Sequence, residues 1–141
     1  MRQSTSITEL GWKAASAISL ASIANVLVLY AGLTVLDIPS AFVGGQFGPL
    51  GVLPVLINTI FAVLGATVVY VGILKISARP NRAFRITATI VLVFSFGMFA
   101  SPHIVGAPLS MFAVLGLMHI LTACIVVGIF TRFGRAGRID S

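Results

Sequence analysis

The sequence predicts an all-α fold: a four-transmembrane-helix bundle made of two hairpins, with the N- and C-termini cytoplasmic. Three observations predict it. Only 9% of the 141 residues are charged, while 58% are hydrophobic; a soluble domain carries roughly 25% charge to cover its surface. The charges gather at the N-terminus, in a central stretch and at the C-terminus. The uncharged runs between them are long enough to cross a hydrocarbon core of about 30 Å. The whole of 1–141 is thus expected to form a single integral membrane domain, leaving no stretch for a soluble one.

The net charge of +6 would suggest nucleic acid in a soluble protein. In a membrane protein, Lys and Arg collect in cytoplasmic loops because positive charge resists translocation, so no nucleic-acid partner is expected. One cysteine, Cys124, lies inside an apolar run. It cannot form an internal disulfide, and no Cys-x-x-Cys pair exists for thiol–disulfide chemistry. It reads as a small buried apolar residue.

The elements follow in order. Residues 1–13 are polar, with Thr8 or Ser6 able to cap a helix, Glu9 in its first turn, and Trp12 and Lys13 at an expected interface. The first crossing covers 14–36, uncharged and about 34 Å long as a helix. Its first half is rich in Ala and Ser, which lets helix backbones approach closely. Arg2 and Lys13 resemble the start of a signal peptide, with Ser22-Ile-Ala24 as its cleavage site. The strongest apolar run lies beyond that site, which favours a retained helix. Residues 37–52 are dense in Pro and Gly and form an outer loop. The second crossing covers 53–74, with Pro54 in its first turn and a small-residue stripe of Ala62, Gly65, Ala66 and Gly72.

A basic cytoplasmic loop, 75–85, follows: Lys75, Arg79, Arg82 and Arg85 stand in it without an acid, and Arg79-Pro80 marks a helix stop and turn. The third crossing runs from Ile86 to Ser101, lengthened to 84–101 by Arg82 and Arg85 snorkelling. A second uncharged outer loop covers 102–108, and the fourth crossing 109–131. Under this reading all nine basic residues fall on one side, and both termini are inside.

No Asp, Glu, Lys or Arg falls within a proposed span. Proton- and cation-coupled pumps depend on such a group. Small multidrug exporters, similar in length, need an acid in their first helix, and retinal proteins need a buried Lys. Three polar side chains stand at similar depth from the inner end: His119 at about 18 Å, Asn25 at about 16 Å and Ser95 at about 14 Å. They are candidates for one buried cluster, with Thr122 on the face of His119 and Asn58 nearer the outer side. Two readings stand: interhelical hydrogen bonds that set register, or a small polar ligand site with His119 as ligand, relay or cofactor contact. Arg79, Arg82 and Arg85 are candidates for anionic lipid headgroups.

Other chemistry is missing. Gly44-Gly45 lacks the lysine and helix of a phosphate loop, and no His/Glu spacing suits a metal. The only acids are Glu9, Asp37 and Asp140, near chain or membrane ends, so no triad assembles. His103 and His119 are too far apart for bis-histidine haem within one chain. No enzyme activity and no cofactor are expected.

Ala24-Asn25-Val-Leu-Val, Arg79-Pro80 with Arg82-x-Phe84, Ser95, and Leu117-Met118-His119-Ile resemble, in order and spacing, the four-span bacterial and archaeal membrane proteins classed as domain of unknown function 6069. That resemblance covers nearly the whole chain. It implies four helices and a cell (plasma) membrane location, singles out Asn25 and His119, and implies no activity. The expectation is a structural or accessory membrane component whose partners are the bilayer and a second copy or another membrane protein. The alternative is a binder or carrier of a small uncharged or lipidic ligand at Asn25, Ser95 and His119.

Overall fold

The computed structural model describes residues 7–36, 51–97 and 109–132. They form four helices, α1 (Ile7–Val35), α2 (Val52–Ile76), α3 (Pro80–Gly97) and α4 (Leu109–Arg132), with no strand among the described residues. The first outer loop up to residue 50, the second outer loop and the end of the third crossing lie outside the described residues. By length and composition, α1, α2 and α4 can each cross a membrane. The described part of α3 opens on Pro80, Asn81, Arg82 and Arg85 and does not reach that standard by itself.

Two boundaries differ from the sequence reading. Helix α1 starts at Ile7, close to the start offered by Thr8 or Ser6 and ahead of the crossing expected from 14, and Glu9 and Lys13 on one of its faces close an ion pair at 2.6 Å. Glu one turn before Lys is the favourable order on a helix, and an acid suits the first turn. The basic stretch is mostly helix rather than loop. Helix α2 continues through Lys75 to Ile76, and only Ser77, Ala78 and Arg79 separate it from α3. The Ser77 N–H donates to the Ile73 carbonyl at 2.9 Å, and the Ser77 hydroxyl accepts from the Arg79 N–H at 3.2 Å. Pro80 then opens α3, where its missing N–H would be unpaired in any case. Arg82 and Arg85 therefore stand on the first turns of a helix.

The helices pack as a ring. Helix α1 lies against α2 and α4, and α3 lies against the same two from the opposite corner. Buried residues on α1 recur at Lys13, Ala17, Ala21, Asn25 and Leu29, a ridge spaced by four. Two apolar clusters fill the interior. One, toward the basic end, joins Ala17, Ala21, Val63, Tyr70, Phe84, Val126 and Phe130. The rings of Tyr70 and Phe84, and of Tyr70 and Phe130, meet edge to face at 5.0 and 5.1 Å, the geometry aromatic quadrupoles prefer. The other cluster joins Leu29, Val55, Met111, Val114 and Met118. Near it Gly116 is buried, and a Cβ there would stand 3.0 Å from the Phe96 ring, so this glycine admits the aromatic side chain of α3.

The outside is as apolar as the inside. Leu20, Ile23, Leu27, Phe61, Val68, Ile90, Val93 and Phe94 are all exposed. Only 22%, 17% and 22% of the apolar windows of α1, α2 and α4 are buried, so most of their apolar surface faces outward, which water would penalise and lipid does not.

Candidate functional site

Between the two apolar clusters lies one polar layer. Asn25 on α1, Thr59 on α2 and Thr122 on α4 each sit one turn from a member of either cluster: Ala21 and Leu29, Val55 and Val63, Met118 and Val126. The Asn25 amide nitrogen donates to both threonine hydroxyls at 2.9 Å. Asn25 and Thr59 are each only 4% exposed, so water cannot replace either bond. Thr59 donates its own proton to the Val55 carbonyl at 2.7 Å, one turn back. Its oxygen can then only accept, which places the nitrogen of Asn25, not the oxygen, against it. The other end of the amide is different: the Asn25 carbonyl oxygen and the Ser22 hydroxyl, one turn apart on α1, are buried with no hydrogen-bond partner among the described residues.

The layer expected from depth was Asn25, Ser95 and His119. Asn25 lies in the layer, bonded to Thr59 and Thr122. Ser95 stands on α3, across the ring from α1, and donates to the Leu92 carbonyl at 2.6 Å. His119 is exposed on α4 with Nδ1 2.7 Å from the Leu115 carbonyl, which requires the proton on that nitrogen. Thr122 takes the inward position on α4. On α2 the inward residue is Thr59, while its neighbour Asn58 faces out and donates to the Pro54 carbonyl at 2.9 Å. Cys124, read as buried, is exposed on the outer face of α4; a thiol is apolar enough to face the same surroundings as its neighbours.

A second polar group closes the basic end. Lys13, expected at an interface with its charge in water, is buried and held by the half-exposed carboxylate of Glu9. The Tyr70 hydroxyl donates to the Asn81 side-chain oxygen Oδ1, and the Asn81 side-chain nitrogen Nδ2 donates to the Thr131 backbone carbonyl, both at 3.4 Å. Arg85 donates to the Thr131 hydroxyl at 3.2 Å. These contacts place the start of α3 beside the end of α4. Lys75, Arg79, Arg82, Arg85 and Arg132, all exposed, therefore share one end of the bundle. No group of three or more His, Cys, Asp or Glu with metal-holding geometry occurs among the described residues.

A family described as of unknown function, DUF6069, matches residues 6–136. No curated protein matches the chain. No solved structure matches it either.

Proposed function

Because the chain belongs to DUF6069, a family with no assigned activity, we propose a role from its architecture: a structural or accessory component of a prokaryotic cell membrane, acting by helix association rather than by catalysis. The observation that carries this is the Asn25 amide, whose two donors are committed to Thr59 and Thr122 in a buried layer. A group so placed ties three helices together and has no donor left for a substrate. The outer faces supply the surface for association. Ala62, Gly65 and Gly72 lie exposed on α2, and a Cβ at either glycine would meet nothing within 4 Å. Small residues on an open helix face let a second backbone approach closely. Both termini are cytoplasmic in this reading, since the exposed cations share one end of the bundle.

One observation favours a second reading, a bound small uncharged or lipidic ligand. The Asn25 carbonyl oxygen and the Ser22 hydroxyl are buried without partners among the described residues, and Ser22 borders a shallow hollow of about 240 Å³ with Ile23, Val26, Leu27 and Leu56. A molecule bearing a hydroxyl on an apolar body matches that chemistry.

Native mass spectrometry in mild detergent separates the two. Association predicts a wild-type oligomer that Gly65→Leu reduces to monomer, with no small molecule attached. A wild-type monomer carrying a small molecule that Asn25→Leu loses would contradict it and establish the second reading.

A further inference from the structure

We propose that the outer face of α3 binds an anionic phospholipid, its phosphate on the Arg85 guanidinium and one acyl chain along Ile86 and Ile90. A hollow of about 260 Å³ is lined by Arg85, Ile86, Thr89 and Ile90. Its length from Arg85 to Ile90 is about 7.5 Å at helical rise. Ile86 and Ile90 stand one turn apart and are both exposed. Thr89 between them donates its hydroxyl to the Arg85 carbonyl at 2.9 Å, so its proton is committed to the backbone and its methyl is left for the groove. The groove is therefore apolar along its length and cationic at one end, the polarity of a phospholipid.

Charge selects the headgroup. Glu9 is the one acid among the described residues, and it lies against Lys13 on α1. Lys75, Arg79, Arg82, Arg85 and Arg132 meet at the same end and are exposed there. An exposed cation near the membrane surface favours an anionic lipid over a zwitterionic one. Arg85 differs from the other four because one of its nitrogens is held by the Thr131 hydroxyl at 3.2 Å. A guanidinium has five N–H donors in a fixed plane. Holding one edge on α4 orients the plane and leaves other donors for the paired oxygens of a phosphate. The inference does not depend on the Asn25 layer or on self-association.

The test uses the full chain, delipidated in nonionic detergent and titrated with dioleoyl-phosphatidylglycerol or dioleoyl-phosphatidylcholine, bound lipids being counted by native mass spectrometry. Wild type binds phosphatidylglycerol at lower concentration than phosphatidylcholine. Arg85→Gln weakens phosphatidylglycerol binding about fivefold and phosphatidylcholine binding less, so the preference for phosphatidylglycerol shrinks. Ile90→Trp fills the groove without changing charge and also weakens phosphatidylglycerol binding. That variant leaves the Arg85–Thr131 contact in place, so it reads the site even where Arg85→Gln disturbs the bundle. Equal binding of the two lipids by wild type would overturn the proposal. So would wild-type affinity in Ile90→Trp, since attraction would then be diffuse charge with no groove.

Discussion

Asn25 stands between Ala21 and Leu29 on α1, which lies against both α2 and α4. Depth along the sequence is enough to pick it out, because an amide near mid-membrane needs a partner. Its partners are harder to see. A soluble helix advertises its buried face by polar residues on the other side. Here lipid and core are both apolar, so the periodicity of α2 does not say whether Asn58 or Thr59 points inward. For the same reason the depth count places Ser95 and His119 with Asn25, while Ser95 donates to the Leu92 carbonyl and His119 Nδ1 lies against the Leu115 carbonyl, each on its own helix. Gly116 is a second single-residue feature, hidden because glycine is frequent in membrane helices. Replacing it adds a Cβ 3.0 Å from the Phe96 ring. Gly116→Ala should be near neutral, since the gain in helix propensity of about 1 kcal/mol offsets a small ring shift. Gly116→Val should cost about 1–3 kcal/mol through overpacking. Thermal unfolding in detergent reads both, and an unchanged Val variant would show that Phe96 does not pack there.

At the scale of elements, the number and order of helices are legible from hydropathy together with the Pro- and Gly-rich breaks, although the third crossing is the shortest. The ends are not legible. Lys13, Lys75 and Arg85, where charge marks the ends of the crossings, all lie within helices. A helix does not stop where the hydrocarbon stops. Glu9 neutralises Lys13 from within α1, and Arg85 reaches Thr131 from within α3. Pro80 marks the opening of α3 and not only the close of α2, the sense in which proline at a first helical position is commonly read. Placing Arg85 on a helix, one turn from Thr89, is what sets the basic stretch beside a shallow hollow bordered by Ile86 and Ile90.

For the whole molecule, two apolar clusters with a hydrogen-bonded layer between them describe a bundle built around α1, α2 and α4, with α3 contributing one fully buried side chain, Phe84, among its described residues. The outward faces are apolar and the exposed cations share one end. That polarity supports the proposed orientation, with both termini cytoplasmic. A fluorescent protein fused to the C-terminus should fold and emit on the cytoplasmic side, and alkaline phosphatase at the same position should be inactive. Active phosphatase would reverse the orientation proposed. The central claim is that Asn25 ties three helices together, and a double-mutant cycle on Asn25→Val and Thr122→Val, followed by unfolding in detergent, tests it most directly. The expected coupling energy is on the order of 0.6 kcal/mol, rising to about 1.7 kcal/mol at most. Strict additivity of the two substitutions would contradict it.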